Sequence, residues 1–328
     1  MNRKYGWKRD RIDENFITLQ IVEQTDLPER VILNGLPPID DQESIGSCTA
    51  NALGAAFEYE QIKQGLDDFK PSRLFLYYQE RLLEGTTSID NGAAISDGIK
   101  VLNQYGICPE SDWPYDIQKI YQKPSEKAYE DAKKHKIISY RRVNPNLNDL
   151  KTVLTLELPV TFGFTVSESF ETIDSSGIMP IPARHEKVLG GHAVVACGYD
   201  DSKQCIKVRN SWGSSWGDNG YFWMPYKFFN RENCNDCWVI TSNIDIDKKV
   251  KLFSSVGTFE TIKNMFFTKK SENTYVEQLK DITRRLENQI NCLISEKDDM
   301  KNSEHSELKI SRMFTILQKI ISDLENNT

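Results

Sequence analysis

Gln42-Glu-Ser-Ile-Gly-Ser-Cys48-Thr-Ala-Asn-Ala-Leu-Gly-Ala-Ala-Phe-Glu-Tyr-Glu60 is the stretch from which the rest of the chain can be read. Its second half is rich in helix formers, and Gly46-Ser47 supplies a start, so the spacing predicts a helix beginning at Cys48. A cysteine there sits at the positive end of the helix dipole, beside unpaired backbone N–H groups. Both favour the thiolate, the reactive form of the side chain. Gly46 next to it leaves room for another backbone to approach. Taken alone, a cysteine ahead of an Ala-rich helix is more often a small buried residue, so its meaning depends on what else the chain carries.

Two later segments supply that context: Gly190-Gly-His192-Ala-Val194 and Asn210-Ser-Trp-Gly-Ser-Ser-Trp-Gly-Asp-Asn-Gly-Tyr221. A histidine on a strand facing Cys48 can hold a proton and later deliver it to a leaving amine. An asparagine can accept the other imidazole N–H and so fix the ring's tautomer and direction. Gln42 can donate an N–H, together with the backbone of Cys48, to the oxyanion of a tetrahedral intermediate. Each element has a plainer reading as well. A single histidine on an apolar strand is commonly a satisfied core residue, and Trp212 and Trp216 can serve as core aromatics.

Outward from these segments the periodicity changes once. Arg73–Leu83 and Ile95–Tyr105 read as helices, whereas Leu158–Val166, Ala193–Tyr199 and Ile206–Asn210 read as strands, with Asp200–Lys203 a hairpin turn. Helices first and strands later predict an α+β fold of two facing subdomains, a helical part over about 42–135 and a β part over about 136–246. Residues 1–26 read as an extended arm with anchors at Tyr5, Trp7, Phe16, Ile17 and Ile21. From 250 to 328 Leu279, Ile282, Leu286, Ile290 and Leu293, then Ile310, Met313, Leu317, Ile320 and Leu324, predict two amphipathic helices. These form either a coiled-coil, self-associating handle or a pair docked on the body.

The 328 residues are 39% hydrophobic and 27% charged, enough apolar material for a core and too much for a disordered chain. A formal charge of −7, without a long Lys/Arg run, argues against a nucleic-acid partner. No run of eighteen apolar residues is present, which excludes a spanning helix, and the polar N-terminus lacks a secretory pattern. Seven irregularly spaced cysteines predict free thiols in a reducing compartment. Cys234-x-x-Cys237, with Cys197 and Cys205 nearby in sequence, leaves a zinc site or a disulfide open, but without a second close pair no metal is expected. His135, His185 and His305 lie in charged surroundings and read as surface residues.

Taken together, Gln-x-x-x-Gly-Ser-Cys, Gly-His-Ala and Asn-Ser-Trp-Gly-x-x-Trp-Gly-x-x-Gly-Tyr resemble the three signatures of the papain-like (cathepsin-like) cysteine peptidases, in that family's order, from Leu27 to about Ile240. The resemblance implies Cys48 as nucleophile, His192 as general base and acid, Asn210 as its orienting partner and Gln42 in the oxyanion hole. It places substrate-binding positions at Gly46, Ser47, Asn91, Gly92, Ala193 and Trp212, with Trp212 also shielding the Asn210–His192 bond. It implies a cofactor-free endopeptidase acting on proteins or peptides through an acyl-enzyme, because no histidine occurs between Tyr105 and Lys134 to form a C-terminus-capturing loop. A catalytically silent scaffold acting through the tail, and acyl transfer to an amine, share the same residues. Ile45 stands at a disulfide position of secreted members, and Thr49 replaces the tryptophan that usually follows the nucleophile. Gly-Ser-Cys-Thr-Ala-Asn-Ala and Pro71-Ser-Arg-Leu-Phe-Leu-Tyr-Tyr78 resemble the compact branch found in bacteria and giant DNA viruses, implying a cytoplasmic or virion-packaged protein. The 26 residues before Leu27 are too few for the family's long helical prosegment. The arm is therefore expected either to cross the cleft and tune activity or to strap the fold shut.

Overall fold

The computed structural model describes residues 3–250 other than 12, 14, 22–25, 64, 66–68, 243–245, 248 and 249. The described residues all belong to one compact unit, and the two helices expected in the tail lie outside them.

The chain begins with a two-residue strand, β1 (Trp7–Lys8), followed by β2 (Arg30–Ile32) and the long helix α1 (Cys48–Lys63). Cys48 to Gln61 are all buried, so α1 has no solvent face. This is why the sequence there shows composition rather than amphipathic periodicity. Its small residues, Ala50, Ala52, Ala55 and Ala56, let it pack closely between the lobes. Against it lie α2 (Arg73–Leu83) and α3 (Ile95–Gln104), joined through β3 (Ala93–Ala94). Ser72 caps α2 by accepting the Phe75 N–H at 3.2 Å. Two shorter helices follow, α4 (Glu126–Ala132) and α5 (Leu147–Thr155), capped by Ser125 and Asn146.

The β part is an antiparallel sheet in the order β4 (Ser139–Val143), β9 (Cys234–Thr241), β5 (Val160–Ser167), β6 (Val188–Asp200), β7 (Cys205–Arg209) and β8 (Tyr221–Pro225), with β2 pairing β6. Lys203 N–H bonds to Asp200 O in the predicted hairpin turn between β6 and β7. The helix-then-strand order is as expected, an α+β architecture. Strands β2, β4, β8 and β9 of this sheet, and the short β1 and β3, are additional to those read from the sequence. In β9 the pattern is broken by Asp236, held at φ 52°, where the register against β5 slips.

One substitution of the family pattern, Thr49, finds its reason here. The Thr49 hydroxyl donates at 2.7 Å to Glu80, a fully buried carboxyl whose pKa burial pushes well above its ordinary value. A polar tie to α2 thus stands where a tryptophan would pack. The six cysteines among the described residues are free and buried. Cys234 Sγ faces Met224 Sδ at 3.9 Å and Cys197 Sγ donates to Lys207 O at 3.5 Å, so these thiols are engaged locally. His185 is exposed, but His135, expected at the surface, is half-buried with its ring 4.4 Å from that of Phe69.

Candidate active site

Cys48 is the first residue of α1 and has no exposed surface. Its sulfur takes backbone hydrogen bonds from Ala193, Gly6 and Thr49, so it lies against β6 at the residue following His192. The His192 ring is fully buried, with Nε2 2.8 Å from Asn210 Oδ1. That oxygen also accepts the Ser211 N–H at 2.8 Å, which fixes the carboxamide's orientation. Nε2 must therefore carry the hydrogen, leaving Nδ1 bare and without a hydrogen-bond partner. Trp212 covers the ring at 5.1 Å between centroids and 31° between planes.

Gln42 is equally constrained. Its Oε1 accepts from Ser211 Oγ at 2.8 Å, while Nε2 donates to Ile45 O at 2.9 Å and to Lys4 O at 3.3 Å. The Ser211 side chain, which sequence reading passed over, thus couples Gln42 to the segment carrying Asn210. Gly46 and Gly92 face each other across the binding strand. Asp90 Oδ1 holds that strand by accepting from Gly46 N–H at 3.0 Å and Tyr77 O–H at 2.6 Å. The sequence pattern points to Asn91 and Gly92 but not to Asp90 beside them. Ser47 departs from its expected place among substrate contacts. It is buried, with its hydroxyl 2.7 Å from Tyr115 O–H and within 3.0 Å of the Asn51 amide, so it supports the loop from below. Asn91 is exposed at the lip.

The cleft is occupied by the chain's own N-terminal arm. Arg3 pairs with Asp41 at 2.6 Å, donates to Trp212 O at 3.2 Å and lies over the Trp212 ring. Lys4 pairs with Asp90 at 2.7 Å, and Tyr5 donates to Glu171 at 2.5 Å, its ring 6.3 Å from that of His192. Gly6 O accepts the Ala93 N–H at 2.8 Å, and Trp7–Lys8 continue as a strand parallel to Ala93–Ala94. Gly6 is required: a Cβ there would overlap the Gly46 carbonyl oxygen, as one on Gly92 would overlap Gly6 O.

This occupancy sets the protonation of the pair. Burial pushes the Cys48 thiol up to about 11 despite its three backbone hydrogen bonds. Burial brings His192 down to about 4, opposed by Asn210 and assisted by the nearby Arg3 cation. With the arm in place both groups are neutral over most of the pH range. The expected thiolate–imidazolium pair belongs to a hydrated cleft.

A thiol at a helix tip, an imidazole oriented by a carboxamide and a second carboxamide aimed at a carbonyl oxygen together define a cysteine peptidase centre. The Papain family cysteine protease profile matches residues 23–243, and the chain belongs to that family. It is 43% identical over 217 residues to an uncharacterized peptidase C1-like protein of Acanthamoeba polyphaga mimivirus, covering 62% of this chain and 70% of that protein. It is 30% identical over 203 residues to pro-cathepsin H of Mus musculus, spanning 56% of that protein. The crystal structure of xylellain, a cysteine protease from Xylella fastidiosa, superposes with TM-score 0.69 at 39% identity, covering 74% of this chain and 97% of the other. The bromelain protease of Ananas comosus in complex with the E64 inhibitor shares the fold, with TM-score 0.53 at 20% identity over 66% of this chain and all of that one. These matches support the compact branch of the family, with a bacterial and a giant-virus relative. Among the described residues no helix is long and apolar enough to cross a membrane.

Proposed function

We propose that the chain is a cysteine endopeptidase that is latent while its N-terminal arm fills the cleft. The observation carrying this is the Cys48 sulfur seated on the backbone of Ala193, next to a His192 whose Nε2 is tied to Asn210 at 2.8 Å. When the arm withdraws, water returns to both groups and the charged forms recover. His192 Nδ1 then takes the Cys48 proton, and the thiolate attacks a peptide carbonyl. The oxyanion is met by Gln42 Nε2, where Lys4 O now sits, and by the Cys48 backbone N–H. Nδ1 passes its proton to the departing amine, leaving an acyl-enzyme. Water, deprotonated by His192, releases the acid and restores the thiol.

The arm itself is a poor substrate in this pose, because Gly6 offers the sulfur a backbone N–H rather than a carbonyl carbon. The buried free cysteines suit a reducing interior, cytoplasmic or within a virion. Reaction with an E64-type epoxide tests the reading. Labelling confined to Cys48, absent in Cys48→Ala and faster in Gly6→Ala than in the parent, supports it. A folded Gly6→Ala protein that neither labels nor cleaves a peptide library would favour a silent scaffold.

A further inference from the structure

Trp7 enters a pocket shaped for an indole. It is 8% exposed, with Gly163 of β5 and Gly191 of β6 as walls and Ala93 as its strand partner. A Cβ on Gly163 would overlap the indole itself, and one on Gly191 would come within 2.6 Å of Cε3. Asp236 of β9 follows Asn235, the pairing partner of Gly163, and so stands next to this wall, its side chain 8% exposed and its Oδ2 accepting the Asp10 N–H at 2.8 Å. The Trp7 N–H is buried and approaches Asp236 closely enough to favour its ionised form, yet completes no hydrogen bond. Arg142, 4.0 Å away, balances the Asp236 charge.

The position of this pocket along a substrate follows from its neighbours. Tyr5 lies beside His192 and Trp212, the side on which His192 meets the leaving amine. Trp7 lies beyond Cys48 on the other side, the acyl side. Gly6 sits over the sulfur, so the pocket takes the residue next to the one that supplies the scissile carbonyl.

Resting on the peptidase reading above, we infer that this pocket selects peptides with tryptophan at that residue, with Asp236 accepting the indole N–H. Asp10 stays with the anchored segment and keeps its N–H on Asp236 Oδ2, and the carboxylate's remaining lone pairs are left for the substrate once Trp7 withdraws. Two side-chain-free walls admit a flat bicyclic ring and leave voids around a branched aliphatic chain. Arg142 already neutralises the carboxylate and repels a second cation, so lysine and arginine are disfavoured.

The test uses the full chain carrying Gly6→Ala and epoxide inhibitors that differ only in presenting Trp, Phe, Leu or Arg to this pocket. Competing pairs are compared by mass spectrometry at Cys48, so the ratios do not depend on how much enzyme is open. The indole compound should label about tenfold or more faster than the phenyl one, the contribution of a hydrogen bond to a charged acceptor. It should label about tenfold faster than the isobutyl one. Asp236→Gly, which accepts the positive φ, should bring the Trp/Phe ratio to about one, and Gly163→Ala should shift preference to Leu. Leu or Arg labelling at least as fast as Trp, or an Asp236→Gly ratio equal to the parent's, overturns the pocket assignment while leaving the peptidase intact. Labelling of Cys48 by none of them removes both.

Discussion

Residues 3–8 and residues 10–19 belong to one N-terminal arm, yet the two are held by different forces. The first stretch fills the cleft with ion pairs at its edge, a close backbone fit at Gly6 and one large side chain, Trp7. Lys4 is largely exposed, and such pairs contribute little in water. The second stretch is built into the sheet. Asp10, its side chain fully buried, accepts from Arg142 at 2.8 Å, Trp238 Nε1 at 2.9 Å and Ser96 N–H at 2.9 Å. Phe16 packs edge-on to Trp238 at 4.8 Å; Leu19, 2% exposed, donates its N–H to Arg142 O at 2.7 Å, and Ile17 O accepts the Arg142 N–H at 3.0 Å. Both expected roles of the arm, crossing the cleft and strapping the fold, are therefore present in separate segments. A plug can then open without its anchor letting go.

The largest effect expected is on the anchor. Leu19→Ala should lower unfolding stability by about 2–5 kcal/mol, read from urea or thermal melts, because a buried Leu leaves a cavity. An unchanged melt would show that residues 10–19 do not anchor. Next comes the plug. Gly6→Ala should raise peptidase activity and Cys48 alkylation about tenfold or more with little change in melting temperature, since its Cβ overlaps Gly46 O only while the arm is docked. A large fall in melting temperature without activation would merge the two segments into one unit.

Asp10→Asn should lie between them, costing about 1.5–3 kcal/mol through lost charge-assisted hydrogen bonds, with modest activation. It also bears on pH. Burial, and then the Asp10 charge, raise Asp236 to about 6 in the closed state, against an ordinary value near 4. The closed form therefore binds the extra proton between these values, so falling pH favours docking and rising pH favours release. Basal activity, normalised to that of Gly6→Ala at the same pH, should climb between about pH 4 and 6, and Asp10→Asn should shift the end of that climb to lower pH. A normalised activity highest at about pH 4 would sink this linkage. The smallest effect is Lys4→Ala, worth under about 1 kcal/mol in docking and diminishing with added salt.

How much of this was legible beforehand depends on how far apart the partners lie in sequence. The helix beginning at Cys48, the strand bearing His192 and the turn at Asp200–Lys203 were readable because local propensity and periodicity agree with the fold. Ser211, Asp90 and Asp236 were not, because a serine, a turn aspartate and an acid in a broken strand carry no local sign of a distant partner. His135 read as a surface residue from charged neighbours, while Phe69, 66 positions earlier, half-covers it.

The order of Gln42, Cys48, His192 and Asn210 determined the class of chemistry and the α+β layout, since residue type and spacing limit what a thiol, an imidazole and two carboxamides can do together. Only tertiary structure decided that the arm enters the cleft, that the pair is neutral while it does so, and that Trp7 meets two glycines and an acid. The reason is that desolvation and steric fit depend on groups brought together across more than a hundred residues, and nothing in the local pattern of any one of them encodes that meeting.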